Sequence, residues 1–110
     1  MSMDWKGELC FGFQLNDQKL LEQLNEGELD LPKDFEMCWA GDAICGEVET
    51  FICIKKSHHQ AWSWKENSTF LGNECFTEPG KDWESKLVNW AKEHGVEGLT
   101  IGWHLLTSLG

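Results

Sequence analysis

The chain has 110 residues, among them seven Trp, 19 Asp or Glu, nine Lys and no Arg or Tyr, for a formal net charge of −10. Arg is the side chain whose planar fork grips phosphate and carboxylate. A chain without it, and with twice as many acids as bases, is poorly equipped to hold DNA, RNA, a nucleotide or an anionic membrane.

In chain order, Leu9, Phe11 and Phe13 share one face of an alternating segment from Glu8 to Gln14, which predicts a strand. Asn16 or Asp17 can cap a short helix carrying Leu20, Leu21 and Leu24 and ending near Gly27. The polar stretch 28–34 contains Pro32 and reads as a loop. Phe35, Met37 and Trp39 alternate in a second strand, and Gly41-Asp42 reads as a turn. Between Glu47 and Lys56 both faces are apolar, the pattern of a central strand. After a bend at Ser57-His58-His59, Trp62 and Trp64 share a side of a short strand, and Thr69 to Phe76 reads as an irregular one. Pro79-Gly80 then punctuates the chain. Asp82 is expected to cap the clearest helix, whose Trp83, Leu87, Trp90 and Ala91 fall on one face. Lys92 and His94 suit its last turn, and Gly95 its end. Leu99, Ile101, Trp103 and Leu105 alternate along a final strand. This order predicts a single domain over residues 1–110, of α+β class. It has one antiparallel or mixed sheet of about five or six strands with two helices packed on it. Trp83 and Trp90 belong to the buried helix face, and Trp5, Trp39 and Trp103 to strand packing, which leaves Trp62 and Trp64 as the indoles in a context of display.

No stretch approaches the roughly 20 apolar residues a membrane span needs. Met1 to Glu8 shows no basic segment followed by an apolar one, so a cytoplasmic location is expected. The five cysteines (Cys10, Cys38, Cys45, Cys53 and Cys75) are odd in number and contain no C-x-x-C pair. They are expected to be reduced core thiols.

Two segments are candidates for binding. Glu22, Glu26, Glu28, Asp30, Asp34 and Glu36 stand against Lys33 alone, so residues 22–36 carry a net charge of −5. Glu22 and Glu26 lie where the helix dipole disfavours anions, by roughly 0.3–1 kcal/mol each. Local stability does not ask for them there, and a docking face for a basic protein is the functional reading. The plainer alternative is a solvated face that keeps the chain soluble. The second segment, Lys55 to Lys65, mixes cations with Trp62 and Trp64 and is the one basic stretch. It can present an indole as an interface anchor, or it is a strand with inward Trp and a Lys-rich end.

No metal site is expected. His58 and His59 are adjacent and point to opposite sides of a strand, and the Cys spacings match no zinc motif. A thiolate paired with His94 or His104 is the conceivable nucleophile and base, but no local catalytic motif accompanies either. No catalytic residue and no cofactor are expected. The leading reading is therefore a non-enzymatic, acidic, inhibitor-type binding protein that docks on and blocks a basic protein surface. Viral anti-defence proteins, nucleic-acid mimics and toxin-immunity proteins work in this way. The partner-binding residues would be the six acids with Trp62 and Trp64, and the partner a basic protein such as a nuclease, with no direct nucleic acid and no membrane. Two other classes remain in view. One is a small-ligand-binding or enzymatic α+β domain lined by Trp62, Trp64, His58 and His59, and the other is a structural subunit with an exposed apolar patch.

Overall fold

In the computed structural model, residues 5–42, 47–62 and 81–109 are described. The first alternating segment forms β1 (Trp5–Gln14), longer than its apolar core. Asp17 caps α1 (Gln18–Asn25), its Oδ1 accepting the backbone N–H of Lys19 at 3.1 Å and of Leu20 at 3.2 Å. β2 (Phe35–Asp42) and β3 (Glu47–Ile54) follow. A single 3-10 turn over Lys55–Ser57 leads into β4 (His59–Trp62), and α2 (Lys81–Glu93) and β5 (Gly102–Leu109) complete the described elements.

Several boundaries differ from the sequence expectation, each for a local reason. Gly41-Asp42 is not a turn: β2 runs through both because each pairs with a neighbour on either side. Asp82 lies inside the first turn of α2 rather than before it. The last strand starts at Gly102, not Leu99, because Gly95 and Gly98, at φ of 71° and 69°, bend the chain after α2. Leu99 and Ile101 still reach the core from that irregular segment. The strand expected over Thr69 to Phe76, together with Trp64, Cys45 and Cys75, lies outside the described residues.

β3 is paired on both edges, as expected of a central strand, and β1 has the most partners. β1 is antiparallel to β5 from Trp5 to Gly12 on one edge. On the other it pairs with β4 through residues 6–9 and with β3 through residues 12–14. β2 runs antiparallel to β3 along its whole length and meets β5 in parallel at Gly41 and Asp42. The result is one mixed sheet of five strands with two helices, an α+β fold, antiparallel except for the β2–β5 contact. The pairings also close on themselves, running β1–β3–β2–β5 and back to β1.

Closure gives the two faces of the sheet different tasks. A ring of four strands is far too narrow to admit a helix, so α1 and α2 must lie outside it. There Leu20 of α1 and Leu87, Trp90 and Ala91 of α2 pack on Phe11, Phe13, Phe35, Ile52 and Ile54. Each of the Leu, Ile and Phe side chains contributes roughly 1.5–3 kcal/mol relative to exposure. The inward face has space only for small groups beside one or two larger ones. It carries Cys10, Cys38 and Cys53 with Phe51, Leu106 and Ala40. Gly12, opposite Cys53, shows how close the strands come: a Cβ there would stand 2.6 Å from the Cys53 Cα. No helix among the described residues is long and apolar enough to cross a membrane.

β3 and β4 share the same edge of β1 but are separated by the 3-10 turn, which would leave the Phe11 N–H without a ladder partner. The buried Ser57 hydroxyl repairs this: its Oγ accepts that N–H at 2.8 Å and donates to the Ile54 carbonyl at 2.6 Å. Ser57→Ala is expected to cost about 1–3 kcal/mol, the penalty for a buried donor left unpaired. Urea unfolding of the variant reads this directly, and an unchanged midpoint contradicts it.

Candidate functional site

The inward face holds a cluster of titratable groups that no single segment of the chain displays. Alternation along β1 places Glu8 and Cys10 on the side opposite Leu9 and Phe11, and the same alternation turns Glu36 and Cys38 of β2 and Cys53 of β3 inward. The β2–β3 register sets Glu36 against Cys53 and Cys38 against Phe51, so Cys38 and Cys53 are diagonal neighbours, with their sulfurs 3.2 Å apart. All three sulfurs lie within 4.8 Å of one another, and the cysteines are free. His58, at the end of the 3-10 turn, brings its ring to the same place: Glu8, Cys38 and His58 form a second group within 4.8 Å.

Two carboxylates grip the imidazole. Its Nε2 lies 2.7 Å from Glu8 Oε1 and its Nδ1 3.0 Å from Glu36 Oε2. Ionised carboxylates only accept, so in this arrangement both ring nitrogens donate and His58 acts as an imidazolium between them. Its pKa is correspondingly pushed up to about 10, by the Cys38 sulfur foremost and then by Glu8. Lys6 Nζ adds a second cation at 3.3 Å from the same Glu8 oxygen. Glu8 is only 3% exposed, and its other oxygen, Oε2, is buried with no hydrogen-bond partner among the described residues. The three sulfurs shift one another's acidity in opposite directions. Hydrogen bonds from Cys10 and Cys53, with help from His58, hold the Cys38 thiol well below the ordinary thiol value. Cys10 is pushed up to about 12, chiefly by its bond to Cys38. Cys53 is also raised, by its bonds to Cys10 and Cys38. Cys38, beside both other sulfurs and the His58 ring, is thus the thiol whose ionisation is most favoured.

The sequence-predicted acids divide between two places. Glu22, Glu26, Glu28 and Asp30 are all exposed. Glu22 and Glu26, four apart, share a face of α1. The following loop folds back on the helix end, with the N–H groups of Glu28 and Leu29 both donating to the Gln23 carbonyl. Leu29 and Leu31 pack on the core, so Glu28 and Asp30 between and beside them stay outside with the helix acids. None of these four is in an ion pair among the described residues. Asp34 is exposed but bound to Lys86 at 3.1 Å. Glu36 stands apart from the other acids, because strand alternation turns it to His58, although its side chain stays 35% exposed. The backbone of Trp62 ends β4 opposite Lys6, while its side chain, like the whole of Trp64, lies outside the described residues.

Trp39, expected in strand packing, is 46% exposed. The helices cover the Phe35 and Met37 end of β2 and stop short of it. Leu105, also expected on a packed strand face, is 79% exposed. His94 and His104, the bases weighed for catalysis, point elsewhere: His94 Nδ1 donates to the Trp90 carbonyl at 2.8 Å and His104 Nε2 to that of Gly12 at 3.1 Å. His58 is bound between its two carboxylates, while His59 borders a shallow hollow of about 210 Å³ with Leu9, Ala61 and Leu105; the Trp62 and Trp64 side chains of the expected pocket lie outside the described residues.

Set against protein-family models, curated proteins and solved structures, the chain matches none. Function therefore rests on these residues alone.

Proposed function

We propose that this chain is a binding protein without chemistry of its own, which lays an acidic face on a basic surface of a partner protein and blocks it. The observation that carries the reading is the set Glu22, Glu26, Glu28 and Asp30, four exposed carboxylates held together on α1 and its folded-back loop and unpaired among the described residues. α1 has no basic residue in its last turn to balance them. Carboxylates left free in this way cost helix stability and are available to an external cation. Trp39 offers the apolar anchor. Leu15, which leads into α1, donates its N–H to the carbonyl of Thr50 at 2.8 Å, and Thr50 is the cross-strand partner of Trp39. An exposed indole therefore stands one strand from the start of the acidic helix, and Trp is the residue most enriched among interface anchors.

In this mechanism the four acids steer the encounter, and burial of Trp39 slows release. The test is a paired capture from the native host, with the wild-type chain and the variant E22Q/E26Q/E28Q/D30N as baits. A partner with a basic surface should be held by the wild type alone. Its association rate should fall by at least about tenfold between low and high salt, as the Debye length shrinks from about 30 Å to 3 Å. If both baits hold the same proteins equally, or if the rate ignores salt, the reading is wrong.

A further inference from the structure

The inward cluster contains more than packing requires. A narrow ring asks for small side chains, and Ala40 meets that need beside the same cluster. Three positions drawn from three different strands carry sulfur instead, at Cys10, Cys38 and Cys53. A sulfur sits about 2.3 Å from a bound zinc ion, so two sulfurs on one tetrahedral ion stand about 3.8 Å apart. The Cys38 and Cys53 sulfurs are 3.2 Å apart and all three lie within 4.8 Å of one another, so shifts of about 1 Å or less bring them to that spacing. A separate observation comes from Glu8, one of whose carboxylate oxygens lies within 4.8 Å of the Cys38 sulfur. Glu8 Oε2 is buried and faces no donor, although Glu8 Oε1 is held by His58 and Lys6. A bound cation is one way to satisfy a buried carboxylate oxygen that lacks a donor.

The geometry points to a metal site in which Cys10, Cys38 and Cys53 hold one thiophilic cation, Zn²⁺ or Cu⁺, with the carboxylate of Glu8 beside Cys38 to complete its surroundings. Soft sulfur ligands favour these ions over Mg²⁺ or Ca²⁺. His58 acts one layer out. Bonded to both Glu8 and Glu36, it fixes the orientation of the carboxylate that borders the sulfurs. As each sulfur–metal bond forms, a thiol that still holds its proton releases it to solvent, and no electron is transferred. The cluster is buried, with Cys10 and Cys53 fully inaccessible, so loading is coupled to folding. This site is independent of the acidic face, and either can fail without the other.

The test refolds the full chain from urea in anaerobic, reducing buffer with Co²⁺ as a spectroscopic substitute for zinc, and separately with Zn²⁺ or Cu⁺. One ion per chain is expected, with a thiolate-to-cobalt charge-transfer band. In the wild type, mass mapping after alkylation should find Cys10, Cys38 and Cys53 protected by metal against the metal-free control in urea concentrations that open the fold. This readout needs no substitution. Cys38→Ala should weaken binding by at least about 100-fold, while the double variant Cys45→Ser/Cys75→Ser should keep both the band and the stoichiometry. Glu8→Gln should weaken binding by about 10–100-fold. The site is refuted if refolded wild type takes up no ion with either metal. It is equally refuted if metal leaves the three thiols unprotected, or if the band disappears in the Cys45/Cys75 variant.

Discussion

Replacing His58 with Ala is expected to lower the unfolding free energy by about 3–5 kcal/mol, the range seen when one partner is removed from a buried ion pair. The cause is the location of Glu8. On β1 its side chain turns into the closed face of the sheet and retains 3% of its exposure, so its charge is cut off from water. His58 answers it at 2.7 Å and in turn holds Glu36 at 3.0 Å. Without the imidazolium, Glu8 would rely on Lys6 at 3.3 Å, already in contact with the same oxygen. Glu36, being more open, would turn to solvent at little cost. The loss should therefore be traceable to Glu8 rather than shared equally. In a double-mutant cycle, Glu8→Gln combined with His58→Ala should recover much of the His58→Ala loss, because no charge is left stranded. Urea unfolding at neutral pH in the presence of a chelator measures this with metal removed from the balance. A His58→Ala loss below about 1 kcal/mol would mean that the buried pair does not hold the fold together.

The elements are legible in the sequence because local chemistry dictates them. Asp17 caps the first helix, Leu87, Trp90 and Ala91 share one buried stripe, and Phe11 and Phe13 alternate on the outer face of β1, all as the pattern implies. What stays hidden comes from pairing at long range. Cys10, Cys38 and Cys53 are 28 and 15 positions apart and match no ligand spacing, yet strand register sets them side by side. A trace of this is present in the alternation itself. If Leu9, Phe11 and Phe13 face the helices, then Glu8 and Cys10 must face away, and an acid beside a thiol on the second face of a strand is an unusual pair to bury. The same logic applied to Phe35, Met37 and Trp39 turns Glu36 and Cys38 to the other side, and so sets Glu36 apart from the other acids. Closure of the sheet is beyond such reasoning, because it depends on β2 meeting β5 in parallel at Gly41 and Asp42, two residues that read locally as a turn.

The indoles test the outer architecture in the same way, through contrast. Trp90→Ala is expected to cost about 3–5 kcal/mol, the range for removing a large aromatic from a core. Trp39→Ala, by contrast, should cost about 1 kcal/mol or less. Both are Trp on regular elements, and composition alone treats them as equals. Trp90 is 5% exposed on the buried stripe of α2, with ring centroids 6.2 Å from Phe13 and 6.3 Å from Phe35. It thereby joins the helix to both β1 and β2. Its removal opens a cavity between three elements that the neighbouring backbone, pinned by strand pairing, cannot collapse to fill. Trp39 lies past the end of the helix-covered region, where solvent already takes up nearly half of its surface. The pair also separates the two tasks assigned to the outer face. If Trp39 is an interface anchor, its Ala variant should unfold like the wild type by urea yet lose partner affinity. If Trp39→Ala instead unfolds as readily as Trp90→Ala, the indole belongs to the core and the docking face has no aromatic anchor on β2.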